Sequence, residues 1–210
     1  MAHIDEKIIS ILDSQQRESK RKEQWDERLE AVIKEIENGM VIESGIETEK
    51  RHFFDNRLSI YMPKYAQRMS DEHLKIKYPN ENRPQFLFTN DTDSMNIGIS
   101  FIKEDVEKFE AEMTEDIRDI MLESFQSVSP SSKILDSGTI KFDEGEETEM
   151  LIAYGSFDSF AIGGVMYNLI YVTIVDDAAI VVSLNCTMKN MEEFELLFYG
   201  IMHTTKVQSR

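Results

Sequence analysis

The strongest constraint in this chain is the alternating apolar pattern of its C-terminal third. Three runs there are suited to β-strands: residues 149–160, 165–175 and 179–187. Gly163-Gly164 and Asp176-Asp177 separate them. Gly and Asp pairs favour tight turns between strands. Turns this short join antiparallel neighbours, because a parallel pair needs a long crossover. The sequence therefore predicts an antiparallel meander in this part of the chain.

The middle run of the meander is apolar on both faces. Tyr167, Leu169 and Tyr171 alternate to one side, while Ile170 and Val172 alternate to the other. A strand that is apolar on both faces is covered on both faces. We therefore expect helices or loops on each side of this sheet.

Helices and further strands complete an α+β prediction. Residues 104–126 and 191–203 carry apolar side chains at spacings of three and four, which is typical of amphipathic helices. A short helical turn is predicted at residues 64–70. The fold class is a mainly antiparallel sheet between helical layers. Further strands are predicted at residues 40–42, 48–54, 58–62, 85–89, 96–102 and 134–142.

The N-terminal segment is predicted to be a helical extension, residues 1–39, preceding an α/β sandwich domain, residues 40–210. Its apolar positions share one three-four register, but polar residues interrupt the stripe between Leu12 and Trp25. Asn38-Gly39 is a typical helix end. Trp25 has two interpretations, since it can anchor the helix to the body or be exposed for a partner. The candidate partner-binding residues are Ile4, Ile8, Ile11, Trp25 and Leu29.

Composition narrows the classes of function. The net charge of −17 disfavours binding to nucleic acid or to anionic membranes, although it can also steer a basic partner. No apolar run of about eighteen residues is present, so no membrane insertion is expected. The N-terminus has no signal-peptide pattern, which places the expected location in the cytoplasm. A lone cysteine, Cys186, excludes an intrachain disulfide.

No catalytic or metal-binding motif is apparent, and no cofactor is expected. Cys186 is in phase with Val182 and Leu184, which predicts a buried thiol. The four histidines are scattered along the sequence without a partner motif. The acidic segments 90–96 and 143–147 lack the ligand spacing of a calcium loop, so both are interpreted as solvated turns.

Polar residues inside strong strands give one candidate pocket. Asn168, Ser183 and Asn185 lie within the meander, where polar side chains are uncommon. They can line a ligand pocket at one sheet face. Alternatively, Ser183 and Asn185 form the solvent side of an edge strand.

The order of elements resembles a known fold group. The segments that carry the resemblance are residues 57–63, residues 96–101, the helix from Glu104 and residues 180–186 before the last helix. Together they resemble the PsbP-like α/β/α sandwich, which Mog-like proteins and the DcrB-like bacterial proteins share. The resemblance covers about residues 40–205 and implies binding or assembly proteins rather than enzymes. Some DcrB-like relatives act as chaperones for secreted proteins.

Three functions remain open at this point. The first is a non-catalytic protein-interaction module whose partner is another protein, as an adaptor or chaperone in bacterial protein secretion. The second is a small-ligand-binding or enzymatic domain with a pocket around Asn168, Ser183 and Asn185. The third is a self-associating structural protein that forms a homodimer through its N-terminal helices.

Overall fold

A computed structural model of the chain describes residues 2–78, 83–103, 113–143, 149–161, 164–176 and 178–209. Within these ranges the side chains of residues 2–15, 77, 143 and 149 lie outside the description. The helices are α1 (Ala2–Glu37), α2 (Asp71–Lys77), α3 (Met113–Val128) and α4 (Met191–His203), with a 3-10 turn at Met188–Asn190 before α4. The strands are β1 (Met40–Val41), β2 (Ile46–Phe53), β3 (Leu58–Pro63), β4 (Gln67–Arg68), β5 (Phe86–Thr89), β6 (Met95–Ile102), β7 (Ile134–Asp143), β8 (Glu149–Ala161), β9 (Gly164–Val175), β10 (Ala178–Thr187) and β11 (Lys206–Val207).

The strands form two antiparallel sheets. The larger has seven strands in the order β4-β5-β6-β10-β9-β8-β7, and the smaller has four in the order β1-β2-β3-β11. The predicted meander is confirmed as β8-β9-β10, with Val175 opposite Ala178 at the second turn. Gly164 begins β9 with a φ of 116°, a conformation that glycine adopts without strain.

The central strands of the larger sheet are covered on both faces, as the sequence predicts. Ile97, Leu184 and Leu169 are in register on three adjacent strands and belong to the main core. On the opposite face Ile170 packs with Leu122 of α3. Leu87 of β5 packs on that face with Leu74 of α2. The outcome is an α+β sandwich, which confirms the predicted fold class.

Helix α4 lies at the centre of the main core. Phe198, Ile201 and Met202 have no solvent exposure. The helix contacts β3 of the smaller sheet, β9 and β10 of the larger sheet, and α1. A helix surrounded in this way must be apolar on most of its surface, and residues 194 and 196–202 are all buried.

The C-terminal half of α1 packs directly on α4. Leu29, Val32 and Ile36 of α1 belong to the same core cluster as the two sheets. The two helices approach closely at Gly200, where an added Cβ would lie 2.6 Å from Ile36 Cδ1 and 3.0 Å from Val32 Cγ1. The predicted helix end is also found, since α1 stops at Glu37 and Gly39 adopts a φ of 93°.

Two local predictions differ from the structure. Residues 64–70 were expected to form a helical turn, but Gln67 and Arg68 instead pair with β5 as strand β4. The next helix, α2, begins one residue after Ser70, whose Oγ accepts from the backbone N–H of His73 at 3.3 Å. This cap and the acidic first turn stabilise a helix start at Asp71 rather than earlier.

The other difference concerns the sheet to which the first three strands belong. The sequence predicts them without assigning them to a separate sheet, yet β1, β2 and β3 form the smaller sheet with β11. The stretch of residues 104–112, predicted as the start of the long helix, lies outside the described residues. The described part of that helix begins at Met113.

The single tryptophan provides a test of how α1 is attached. Leu29, Val32 and Ile36 belong to the main core, and Trp25 packs against that core. We therefore expect α1 and the sheets to unfold together. Tryptophan emission and far-UV circular dichroism should then give one coincident urea transition. A tryptophan transition at lower urea would show that α1 detaches as a separate unit.

The close approach at Gly200 predicts a measurable cost for a methyl group there. Gly200→Ala should lower the free energy of unfolding by about 1–2 kcal/mol, since overpacking outweighs the gain in helix propensity. Ile36→Val removes the nearest methyl group and should make the Gly200→Ala change less costly in the double variant. Strict additivity in urea unfolding would contradict the proposed contact.

Candidate functional site

Helix α1 extends well beyond the body that it docks on. Its 36 residues span about 54 Å at 1.5 Å per residue. Trp25 is half-buried, whereas every side chain from Gln16 to Gln24 is exposed. We call residues 2–24 the arm and the packed contact of Trp25, Leu29, Val32 and Ile36 with α4 the seam.

The arm leaves the body where Trp25 meets Tyr199. The two rings make an edge-to-face contact with centroids 5.7 Å apart, a favoured geometry for aromatic pairs. Tyr199 makes a second edge-to-face contact with Tyr154, also at 5.7 Å. In the structure Trp25 therefore contacts the body, as the anchoring interpretation predicts. Leu29 is likewise buried against the body.

A carboxylate of the edge strand β7 joins these rings by hydrogen bonds. Asp136 Oδ2 accepts from the hydroxyl of Tyr199 at 2.9 Å and from the hydroxyl of Tyr154 at 3.2 Å. We call Asp136, Tyr154 and Tyr199 the tyrosine cluster. It connects β7, β8 and α4 beside the point where the arm begins.

Burial and charge shift the ionisation of this cluster. Burial, then the charge of Asp136, raises the pKa of Tyr154 to about 12. The pKa of Tyr199 is also raised, chiefly by burial. Burial and then Asp136 raise the pKa of the Glu195 carboxyl, although Tyr167 opposes the shift. These groups stay in their neutral forms more readily than free side chains do.

Tyr167 lies next to the cluster and is fully buried. Its hydroxyl has no hydrogen-bond partner within the described part of the chain. Ser156, Tyr199 and Glu195 nevertheless lie near enough to affect its pKa, which burial raises. The hydroxyl of Tyr167 is thus a polar group within the largely apolar core below α4.

The structure brings the predicted pocket residues to one sheet face. Asn185 is in register with both Asn96 and Asn168, so the three amides form a row across β6, β10 and β9. Asn96 Nδ2 donates to Asn185 Oδ1 at 3.0 Å, and Asn168 Nδ2 donates to Ser159 Oγ at 2.9 Å.

Ser183 lies beside this row, with Pro84 above it. An added Cβ on Gly98 would lie 2.5 Å from Ser183 Oγ and 2.9 Å from Pro84 Cγ. The amide groups of Asn168 and Asn185 are thus engaged by neighbouring side chains, and Ser183 is half-buried under a loop. The ligand pocket at this face stays a prediction.

A basic depression lies on the smaller sheet. It encloses about 790 Å³ and is open to solvent. Ser59 lies between His52 of β2 and Lys206 of β11, which are its cross-strand partners. The lining residues are Lys50, His52, Asn56, Ser59, Lys206, Val207 and Gln208, a set without a carboxylate.

The other sequence-predicted residues are placed as follows. Cys186 is fully buried, which confirms the prediction, and burial, followed by the charges of Glu195 and Glu193, raises the pKa of its thiol to about 12. Ile4, Ile8 and Ile11 lie on helix α1, but their side chains are outside the described residues.

The described residues offer neither a metal site nor a membrane-spanning helix. Among the described residues, no group of three or more His, Cys, Asp or Glu side chains could hold a metal ion. No helix in the described ranges is long and apolar enough to cross a membrane.

Solved structures share the fold at low sequence identity. The cyanobacterial PsbP protein (CyanoP) of Synechocystis sp. PCC 6803 matches with a TM-score of 0.58 at 10% identity, over 77% of this chain and 92% of its own. LpqN of Mycobacterium tuberculosis, described as involved in cell envelope biogenesis, matches with a TM-score of 0.50 at 10% identity, over 78% and 91%. The Ran-binding protein Mog1p of Saccharomyces cerevisiae gives 0.45 at 10%, over 78% and 97%.

The matches to CyanoP and LpqN define the class of fold. The chain has a PsbP-like α/β sandwich, as the resemblance in its sequence predicts. At this level of identity the likeness shows the fold and does not carry over a function. No protein-family model matches the sequence, and no curated protein matches it at a significant level.

The tyrosine shifts predict the alkaline behaviour of the protein. The pKa values of Tyr154 and Tyr65 rise from 10.0 to about 12, so the folded state holds these protons more tightly than the unfolded state. The stability they contribute is present below pH 10 and is lost as the pH rises toward 12. Urea midpoints should fall across this window.

The contribution of Asp136 to these shifts is separable. Asp136→Asn removes the negative charge beside Tyr154, so the pKa of Tyr154 should fall toward its ordinary value. Tyrosinate absorbance at 295 nm should then begin to rise at lower pH than in the wild type. An unchanged titration curve would contradict the contribution of the Asp136 charge to the pKa of Tyr154.

Proposed function

We propose that the protein is a non-catalytic protein-interaction module that recognises another polypeptide through the arm. The observation that carries the proposal is the exposure of every described side chain between Gln16 and Gln24, on a helix that the seam holds to the body. An exposed helix fixed at one end presents a ready-made binding element. The location we propose is the cytoplasm.

The sequence of the arm indicates the chemistry of its partner. The apolar residues Ile4, Ile8 and Ile11 recur at spacings of four and three, which places them along one side of a helix. Residues 16–24 carry four basic and two acidic side chains, within a chain of net charge −17. A partner with an apolar groove and an acidic rim fits this combination.

The fold and the candidate pocket support the non-catalytic part of the proposal. Members of the PsbP-like group that the sequence resembles are mostly binding or assembly proteins. The amides of Asn168 and Asn185 bond to neighbouring side chains rather than converging on an open cleft. The finer role we propose, an adaptor or chaperone in bacterial protein secretion, follows from the resemblance to DcrB-like proteins.

The seam determines where a truncation must be made to test the arm. Removing residues 1–38 would delete Leu29, Val32 and Ile36 and so damage the core. A chain of residues 25–210 keeps the seam and loses only the arm. Partners captured from native lysate with the full chain should be identified, purified and titrated against both forms.

We expect binding of the purified partner to weaken at least about tenfold in the truncated chain. Ile8→Asp with Ile11→Asp should have the same effect, because charge opposes burial of that face. Gln16→Ala with Ser19→Ala, which changes exposed polar residues of the same helix, is the matched control.

Equal affinity of the full and truncated chains would refute the arm as the binding element. Turnover of a substrate by the purified protein would refute the non-catalytic role. The full chain can also have the mass of a dimer in solution while residues 25–210 have that of a monomer. In that case the arm forms a homodimer and does not bind a partner protein.

A further inference from the structure

The sheet edges of this fold are unequal in length. Three of the four outermost strands, β1, β4 and β11, have two residues each. The fourth, β7, has ten residues and pairs only with β8 along the described chain. Very short outer strands are a common way in which proteins avoid unwanted strand pairing. Strand β7 is not protected in that way.

Most of β7 is regular, and no other strand of the described ranges pairs with its outer edge. The register with β8 is interrupted only between Ile134 and Asp136, and from Asp136 to Asp143 the two strands pair residue by residue. One outer group is used locally, since Arg118 Nη1 donates to the carbonyl oxygen of Gly138 at 3.0 Å. The described side chains of β7 from Ile134 to Phe142 are exposed or half-buried.

Apolar side chains lie exposed at the start of this edge. Ile134 is 42% exposed and Leu135 is 47% exposed. Ile134 is opposite Phe157 in the ladder, and Phe125 of α3 packs on Phe157 with tilted rings whose centroids are 4.7 Å apart. Phe125 is itself exposed. An extended chain placed along β7 would therefore find both backbone partners and an apolar surface for its side chains.

Charge distinguishes the possible occupants of this edge. Two copies of the chain, each of net charge −17, repel one another. Beside β7 the carboxylate of Glu115 accepts from Thr139, and Arg118 is paired with Asp119 at 2.8 Å. A basic segment of another polypeptide is attracted to the whole molecule, whereas a second copy is not.

We infer that β7 is a second docking surface, which receives an extended, basic segment of a partner polypeptide as an eighth strand of the larger sheet. The backbone of the segment pairs with the outer edge of β7. Its apolar residues pack near Ile134, Leu135 and Phe125, and its basic residues alternate with them. The inference stands independently of the arm.

The test uses the full chain and a defined set of acetylated, amidated decapeptides. In each peptide Lys or Arg alternates with Val, Ile, Phe or Leu. We expect members of this set to bind by fluorescence anisotropy, with matched Glu-containing peptides at least about tenfold weaker. Amide hydrogen exchange should slow in residues 136–142 on binding.

N-methylation separates strand addition from contact with a sheet face. Alternate backbone N–H groups of a strand point to opposite edges. The tightest peptide should therefore lose at least about tenfold in affinity when one alternate set is methylated, and little when the other set is methylated. Equal effects of the two sets, or no binding by any member of the peptide set, would overturn the inference.

A surface substitution with a matched control locates the site. Leu135→Lys places a charge at the exposed start of β7 and should weaken binding at least about tenfold. Ile42→Lys makes the same kind of change at a residue that is 72% exposed and lies in the turn after β1, and it should have little effect. Equal weakening of peptide binding by both variants would overturn the site on β7. A concentration-dependent dimer that Leu135→Lys abolishes would instead assign the edge to a second copy of the chain.

Discussion

The burial of α4 is the interaction on which the rest of the structure depends. This helix contacts α1 and both sheets at once, so its side chains supply the common core. The approach of Ile36 and Val32 over Gly200 fixes the depth at which α1 can lie. Helix α1 is in turn the element that determines where the arm leaves the body. A small residue at a single position thus sets the geometry of the surface that we propose for recognition.

The elements that the sequence predicts well are those with strong periodicity. The meander of β8, β9 and β10 has long alternating runs and clear turn residues, and α4 has a continuous apolar pattern. Strands β4 and β11 have two residues each and exist because a neighbouring strand offers partners. Such strands carry no pattern of their own, since tertiary contact rather than local propensity forms them. Sequence alone likewise does not assign strands β1, β2 and β3 to a separate sheet, because tertiary contacts decide which strands pair.

The same distinction applies to the candidate site. The register of α1 identified Trp25 and Leu29 as members of one stripe, but sequence alone left open whether they contact the body or a partner. The tyrosine cluster was not predicted, because Asp136, Tyr154 and Tyr199 lie on three separate elements and Tyr199 is 63 residues from Asp136 in the chain. The one available signal was a tyrosine in the apolar α4, since a buried hydroxyl requires a hydrogen-bond partner.

The seam has a consequence for the order in which the protein can assemble. Helix α1 is synthesised well before α4, on which it packs. While the chain is being made, Leu29, Val32 and Ile36 have no α4 to cover them, and β3 lacks its neighbour β11. Contacts between segments far apart in sequence form late and slowly. The nascent protein therefore exposes an apolar helix face until α4 has been made, a period in which chaperones of the host cell can bind it.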